Sequence, residues 1–257
     1  MKIYIPTYKR VDTQVTINNI PDELKSLTYL VARKEERDQL IRHHKQIIVL
    51  PDYVNNIGTT RQYIVDTVKD KTILFLDDDL NFFKREDDTK KLRKCNKEQF
   101  IELYKWFIEK IDQGYPMVGL SSRQGNNHHI QNEIQLSRIM TVYALNIDIL
   151  KTFNIRFDEM ELMEDFNVAL RLIRNGFLTI SNAQFAHGQG SSNMKGGCSE
   201  YRNNERQSKC ARMLVRNHAP FVRLVKKKTK SWKGMEERED VMIYWKKAYQ
   251  DYVKKNS

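Results

Sequence analysis

Cysteine is scarce in this 257-residue chain, which carries only Cys95, Cys198 and Cys210. Three scattered thiols cannot form a disulfide framework, so a reducing compartment is expected. Cys198 and Cys210 could join His218 at a zinc ion, but their spacing fits no standard knuckle. Long apolar runs are also missing: none approaches the ~18 residues of a membrane span. The first residues, Met1-Lys2-Ile3-Tyr4-Ile5-Pro6, read as a strand start without the apolar region of a signal peptide. A soluble, cytoplasmic protein with no membrane partner is the expectation. There is no internal repeat and no clean linker. Acidic residues are outnumbered, 33 against 44 basic, and the net charge of +11 favours polyanionic partners such as nucleic acid, nucleotides or anionic lipid. With 40% hydrophobic residues, the chain can build one large α/β domain or one domain with appendages.

What is present centres on Thr72-Ile73-Leu74-Phe75-Leu76-Asp77-Asp78-Asp79. The apolar run has the length of a strand buried on both faces, as in parallel sheets. Three carboxylates at its end repel one another and are tolerable only in water or around a cation. At the carboxyl edge of an open α/β sheet, where ligands bind, this favours a divalent metal over a merely acidic turn.

The surrounding pattern alternates strands and helices, which predicts a mostly parallel sheet with right-handed crossovers. Residues 2–6 form a strand opening into Pro6-Thr7-Tyr8-Lys9-Arg10, a turn whose aromatic and cations could hold a base and phosphates. Residues 26–32 and 46–50 are further strands, and Arg33 starts a charged helix reaching about residue 43. Gly58 is expected in a tight turn before a helix over 62–68, whose start would present N–H groups to an anion, with Arg61 pointing to the same sheet edge. Residues 81–96 read as a charged loop, 97–113 as an amphipathic helix, and 117–121 and 138–145 as strands. His128 and His129 fall in a polar loop. Glu164 and Asp165 sit in the first turn of a helix, where the macrodipole stabilises carboxylates whatever their role. A strand over 177–185 ends just before His187, which a Gly-flanked turn would expose. Beyond residue 190 come a Gly- and Ser-rich loop, a basic helical segment over 199–218, the basic stretch 222–233, and a last helix over 237–254. The expected division is therefore 1–190, an α/β core, and 191–257, a lid loop with a basic helical extension.

In their order and spacing, Ile5 to Arg10, Gly58 to Arg61, Leu76 to Asp79, Glu164-Asp165 and Ala186-His187 together resemble a GT-A-type glycosyltransferase. The compact length, the triple-Asp strand end, the Gly196-Gly197-Cys198-Ser199-Glu200-Tyr201-Arg202 segment and the basic tail look similar to the phage TET-associated glycosyltransferases. That resemblance implies a Rossmann-like GT-A core, a nucleotide-sugar donor (UDP-sugar by type), and Mn²⁺ or Mg²⁺ held by Asp79 and His187. It implies Asp77 at the ribose or just behind the metal ligands, and Asp165, with Glu164 beside it, as the base of an inverting reaction. Pro6, Thr7, Tyr8, Arg10, Arg33, Arg61 and Asp78 would serve the nucleotide. The acceptor it implies is a hydroxymethylated pyrimidine in phage DNA, modified in the infected cell's cytoplasm. Two other readings compete. One keeps the fold with a carbohydrate acceptor. The other, a nucleic-acid-binding protein without catalysis, leaves the Asp77–Asp79 cluster unexplained, because acids in a binding groove repel phosphate.

Overall fold

The computed structural model describes residues 1–87, 90–126, 131–190, 195–229, 234 and 236–256. In chain order its elements are β1 (Lys2–Pro6), α1 (Val15–Asn19), α2 (Asp22–Lys25), β2 (Thr28–Arg33), α3 (Arg37–Leu40), β3 (Ile47–Leu50), α4 (Ile57–Thr67) and β4 (Thr72–Leu76). Then follow β5 (Leu80–Arg85), β6 (Leu92–Lys94), α5 (Lys97–Asp112), β7 (Met117–Ser122), β8 (Glu133–Gln135), β9 (Val142–Asn146), α6 (Ile147–Thr152), α7 (Glu164–Arg174) and β10 (Ile180–Gln189). The chain finishes with α8 (Asn204–His218), β11 (Val222–Lys228), β12 (Glu237–Ile243) and α9 (Trp245–Asn256).

Ten strands make the central sheet, in the order β3-β2-β1-β4-β9-β7-β10-β5-β6 with β8 on β10. The β3-β2-β1-β4 block is parallel, the doubly wound half that the alternating pattern implies. β9 then enters antiparallel between β4 and β7, so the sheet is mixed. Two apolar layers cover its faces. One gathers Leu30, Leu74 and Leu76 with Phe100, Leu103 and Phe107 of α5. The other gathers Val31, Ile73 and Phe75 with Ile64 of α4 and Val168 and Leu172 of α7.

Four expectations are corrected. Residues 81–96 are a hairpin rather than a loop: Leu80–Arg85 pairs antiparallel with β10 and with Leu92–Lys94. The charged helix expected from Arg33 is only a 3₁₀ turn at Lys34–Glu36 and the single turn of α3. The extension is not helical throughout, because 222–228 and 237–243 pair as a hairpin and the last helix begins only at Trp245. It packs on α7 through a third cluster holding Phe166, Leu170, Leu214, Phe221, Val241 and Ala248. Finally, α4 starts at Ile57, five residues early. Asn56 caps it by accepting from Thr59 N at 2.9 Å, and Ile57 N donates to the Tyr201 hydroxyl at 3.0 Å, so these N–H groups are already engaged.

Gly58 therefore lies inside a helix, and close approach rather than a turn explains it. A Cβ there would sit 2.1 Å from Met160 O and 2.9 Å from Phe157 O. Both are backbone atoms that cannot swing aside. Gly58→Ala is expected to cost about 3 kcal/mol, the upper end of overpacking, read as a lower urea midpoint at unchanged slope.

His218 ties α8 to α7. Its ring lies 2.9 Å from Asn167 Oδ1 through Nε2 and 3.2 Å from Arg174 Nη1 through Nδ1. Arg174 can only donate, so Nδ1 accepts and Nε2 carries the proton, the neutral tautomer. Burial, followed by the charges of Arg174 and Arg171, lowers this imidazole from 6.5 to about 4. An unfolded chain takes the proton below about 6.5 while the folded one refuses it until about 4. The contribution is thus complete above 6.5 and is lost as pH falls through that window, by about 3 kcal/mol in all. Denaturation followed between pH 7 and pH 4 should show this slope, and His218→Gln should flatten it.

Candidate active site

β1 and β4 are parallel neighbours, so the turns after Pro6 and after Leu76 emerge at the same edge. Thr7 Oγ1 donates to Asp78 Oδ2 at 2.7 Å, and Arg10 Nη1 reaches Asp78 Oδ1 at 2.5 Å and Asp79 Oδ2 at 2.9 Å. Gln14 Nε2 braces Thr7 Oγ1 at 2.9 Å. Asp78 is 4% exposed and fully engaged. Burial raises its carboxyl, while Arg10 and Thr7 pull the other way. Its contacts hold the loop in shape. Of the three acids, Asp77 and Asp79 have the more open side chains.

Arg61, 3% exposed, leans from α4 between two acids. Nη2 meets Asp77 Oδ1 at 2.9 Å, and Nη1 pairs with Glu164. Its guanidinium also lies 5.2 Å from the Tyr143 ring centre. Burial pushes both Asp77 and Glu164 up to about 7 against the pull of Arg61. Asp165 is raised by burial as well. Its Oδ1 accepts from Phe166 N at 2.8 Å, and among the described residues no side chain bonds to it. Neighbours in sequence, the two acids differ in use: Glu164 is committed to Arg61, and Asp165 is available.

His187 corrects another expectation. It lies inside β10 rather than past its end, opposite Phe82 of β5 and Ser122 of β7, and it is 2% exposed. Burial and the charge of Arg138 bring it from 6.5 down to about 4, so the imidazole is neutral. The Thr141 hydroxyl lies 3.2 Å from Nε2 and 3.3 Å from Nδ1. Gln189, two residues further, projects to the same face of the strand. Its Nε2 lies 3.3 Å from Asp77 Oδ2 and 3.1 Å from Asp79 Oδ1. Two carboxylates thus share one electropositive partner, beside a neutral imidazole.

These groups converge on a cavity of about 1190 Å³. Pro6, Thr7, Tyr8, Arg10, Arg33, Arg61, Asp77, Asp78, Asp79, Glu164, Asp165 and His187, the residues that the resemblance implicates, all line it. At one part of the wall the Arg33 guanidinium stacks 3.9 Å from the Tyr8 ring centre, a flat platform suited to a base. The Gly-Gly segment seats against this turn. Gly197 N donates to Tyr8 O at 2.7 Å, and a Cβ on Gly196 would meet Arg10 Cγ at 2.4 Å. Glu200 takes Lys9 Nζ at 2.9 Å.

Thr141, Gln189 and Arg138 were not singled out from the sequence. Thr141 has φ 63, a rare conformation for a β-branched residue, and its carbonyl accepts Asp77 N at 3.0 Å. Only the alternation of β10 could have pointed to Gln189. Among the described residues no three His, Cys, Asp or Glu side chains form a metal cage. Cys198, Cys210 and His218 are no exception: Cys198 Sγ accepts from the Tyr201 hydroxyl and His218 serves Asn167. His128 and His129 lie outside the described residues.

A mixed α/β sheet with acids at its carboxyl edge is the architecture of GT-A-type glycosyltransferases, and solved structures of that class share it. Over 84% of this chain the fold matches the mannosyltransferase PcManGT of Pyrobaculum calidifontis, solved with GDP-Man and Mn²⁺, at a TM-score of 0.56 and 10% identity. It matches S. aureus TarS in complex with UDP-GlcNAc over the same share, at 0.53 and 14%. The chain spans just under two thirds of those two, 63% and 66%. Residues 1–197 match the TET-associated glycosyltransferase model, and the chain belongs to that family. It is 25% identical to the beta-glucosyl-HMC-alpha-glucosyl-transferase of Enterobacteria phage T6, over 93% of this chain and 89% of that protein. The protein is a glycosyltransferase. No helix among its described residues is long and apolar enough to cross a membrane.

Proposed function

We propose that the chain transfers a hexosyl group from a nucleotide sugar, a UDP-sugar, to a hydroxymethylated pyrimidine in phage DNA, and that it does so with a divalent metal. The observation that carries this reading is the meeting of Asp79, His187 and Asp165 with the Tyr8–Arg33 platform in one cavity. The acceptor comes from the phage relative, whose name includes HMC, which we read as hydroxymethylcytosine.

The residues fit a metal by chemistry. A carboxylate suits Mn²⁺ and Mg²⁺, a neutral imidazole is a common metal ligand, and Mg²⁺ characteristically takes one or two carboxylates and completes its shell with substrate phosphate and water. Asp79 and His187 would hold the ion, with Asp77 at the donor ribose. When bound, the ion supplies Lewis-acid neutralisation of the departing diphosphate. The protein's own residues do the rest. Tyr8 and Arg33 hold the base, and Arg10 fixes Asp78 and Asp79 in place. Arg61 keeps Asp77 and Glu164 oriented and compensated. Asp165 accepts the proton of the acceptor hydroxyl as it attacks the anomeric carbon, and its raised pKa makes it a better base near neutrality.

Asp165→Asn is expected to lower kcat by about 10²–10⁴-fold, the usual contribution of a positioned base, with the donor's Kd unchanged by calorimetry. The anomeric configuration of the product checks the role independently. An inverted linkage supports Asp165 as base, and a retained one removes that role. The activity itself is tested by incubating hydroxymethylated and unmodified DNA with UDP-sugars, then weighing the nucleosides. A hexose added only to hydroxymethylated DNA supports the reading. No mass gain on it, with transfer to a carbohydrate acceptor instead, would overturn it.

A further inference from the structure

Part of the cavity wall has no role in the scheme above. It is built by Arg202, Gln207, Lys227, Thr229, Arg238 and Asp240, all beyond residue 190. Lys227 and Arg238 are directly opposed across β11 and β12, so their side chains leave the hairpin on one face, which Asp240 shares two residues on. Lys227 Nζ lies 3.0 Å from Asp240 Oδ2, and Arg238 Nη2 lies 3.6 Å from the same oxygen. Arg238 Nη1 donates to Thr229 Oγ1 at 3.0 Å. Arg202, Lys227 and Arg238 therefore line this wall together, with Asp240 among them. Burial and the neighbouring Arg202 charge lower the Arg238 guanidinium from its usual range. Cations crowded in this way are relieved by an anion, and a guanidinium suits phosphate above other groups.

We propose that Arg202, Lys227 and Arg238 bind a backbone phosphate of the nucleic-acid acceptor, so that the hairpin is the acceptor wall of the site. This rests on the reading of DNA as acceptor and adds where the strand is held. Two further observations support it. The cavity exceeds the ~300–1,000 Å³ that commonly encloses one small ligand, leaving room for an acceptor nucleotide beside the donor. The proposed donor and metal residues, Pro6 to His187, lie within the 1–197 shared with the family model, whereas this wall lies outside it.

The same phosphate chemistry could come from the donor's diphosphate, and the experiment separates the two. The full-length protein, Lys227→Gln and Arg238→Gln are titrated, without donor, into a fluorescein-labelled oligonucleotide carrying hydroxymethylcytosine, between about 50 and 200 mM salt. Each variant is expected to bind about 5–10-fold more weakly, and its slope of log K against log salt to flatten by about one. The ratio of kcat/KM for the oligonucleotide to that for free hydroxymethyldeoxycytidine, which has no phosphate, should fall about as far. Unchanged oligonucleotide affinity in the folded variants overturns the proposal. So does a loss confined to the donor's KM, which assigns the phosphate to the donor. The Lys227 side chain is 41% exposed, so that variant retains the test should Arg238→Gln fail to fold. Binding is read without transfer, so a protein that holds the oligonucleotide through these residues yet modifies no base refutes the proposed activity alone.

Discussion

Asp79→Asn is expected to remove transfer by roughly 10³-fold or more while the protein stays folded. In the proposed reaction several kcal/mol of charge stabilisation at the leaving group would depend on a cation held there, and each 1.36 kcal/mol is tenfold in rate. An amide keeps an oxygen for Gln189 Nε2, which now lies 3.1 Å away, but gives up the charge that faces Arg10. Arg10 keeps Asp78 as a partner at 2.5 Å, so losing the Asp79 pair should shift stability by only about 1 kcal/mol. Asp78→Asn is the contrasting variant. Asp78 is buried and bonded to both Thr7 and Arg10, so its loss should appear first in the melting curve. Mn²⁺ titration calorimetry and steady-state transfer assays read the difference. Full activity in Asp79→Asn would sink the metal assignment.

Arg61→Met should have the largest effect on stability, about 3–5 kcal/mol, the cost of leaving a buried pair without one partner. Here one cation serves two acids, Asp77 and Glu164, and nothing else among their described contacts carries positive charge to them. The double variant Arg61→Met with Glu164→Gln should recover part of the loss, because one of the stranded acids is gone. Chemical denaturation of the single and double variants measures the coupling. Equal losses in both would mean that Glu164 gains nothing from Arg61.

The central strand and its acids were legible because they announce themselves twice, by an apolar run and by an unfavourable charge cluster that needs a cation. Helix α5 was equally legible through the three-four spacing of Phe100, Leu103, Tyr104, Phe107 and Ile111, all of which the fold buries. The hairpin β11–β12 was hidden. Its lysines carry no apolar alternation, and its pairing is signed by charge across the strands, Lys228 to Glu237 and Lys227 to Asp240. Strand β5 was hidden by its hydrophilic flanks, though Phe82 and Leu80 are buried. His187 was read as a turn residue because Gly188 follows it. That glycine instead answers crowding, since a Cβ there would lie 2.9 Å from the Phe83 ring. The partnership of Arg61 with Glu164 spans 103 positions, and no local pattern reports such a distance.

The reversed strand β9 has a kinetic consequence. Thr141, just ahead of it, accepts from Asp77 through its carbonyl and touches His187 through its hydroxyl, so residues 77, 141 and 187 meet only when β4, β9 and β10 are all docked. Contacts of such long sequence separation close late. During refolding, donor-binding competence should therefore return only with the slowest phase, after the helical signal has recovered.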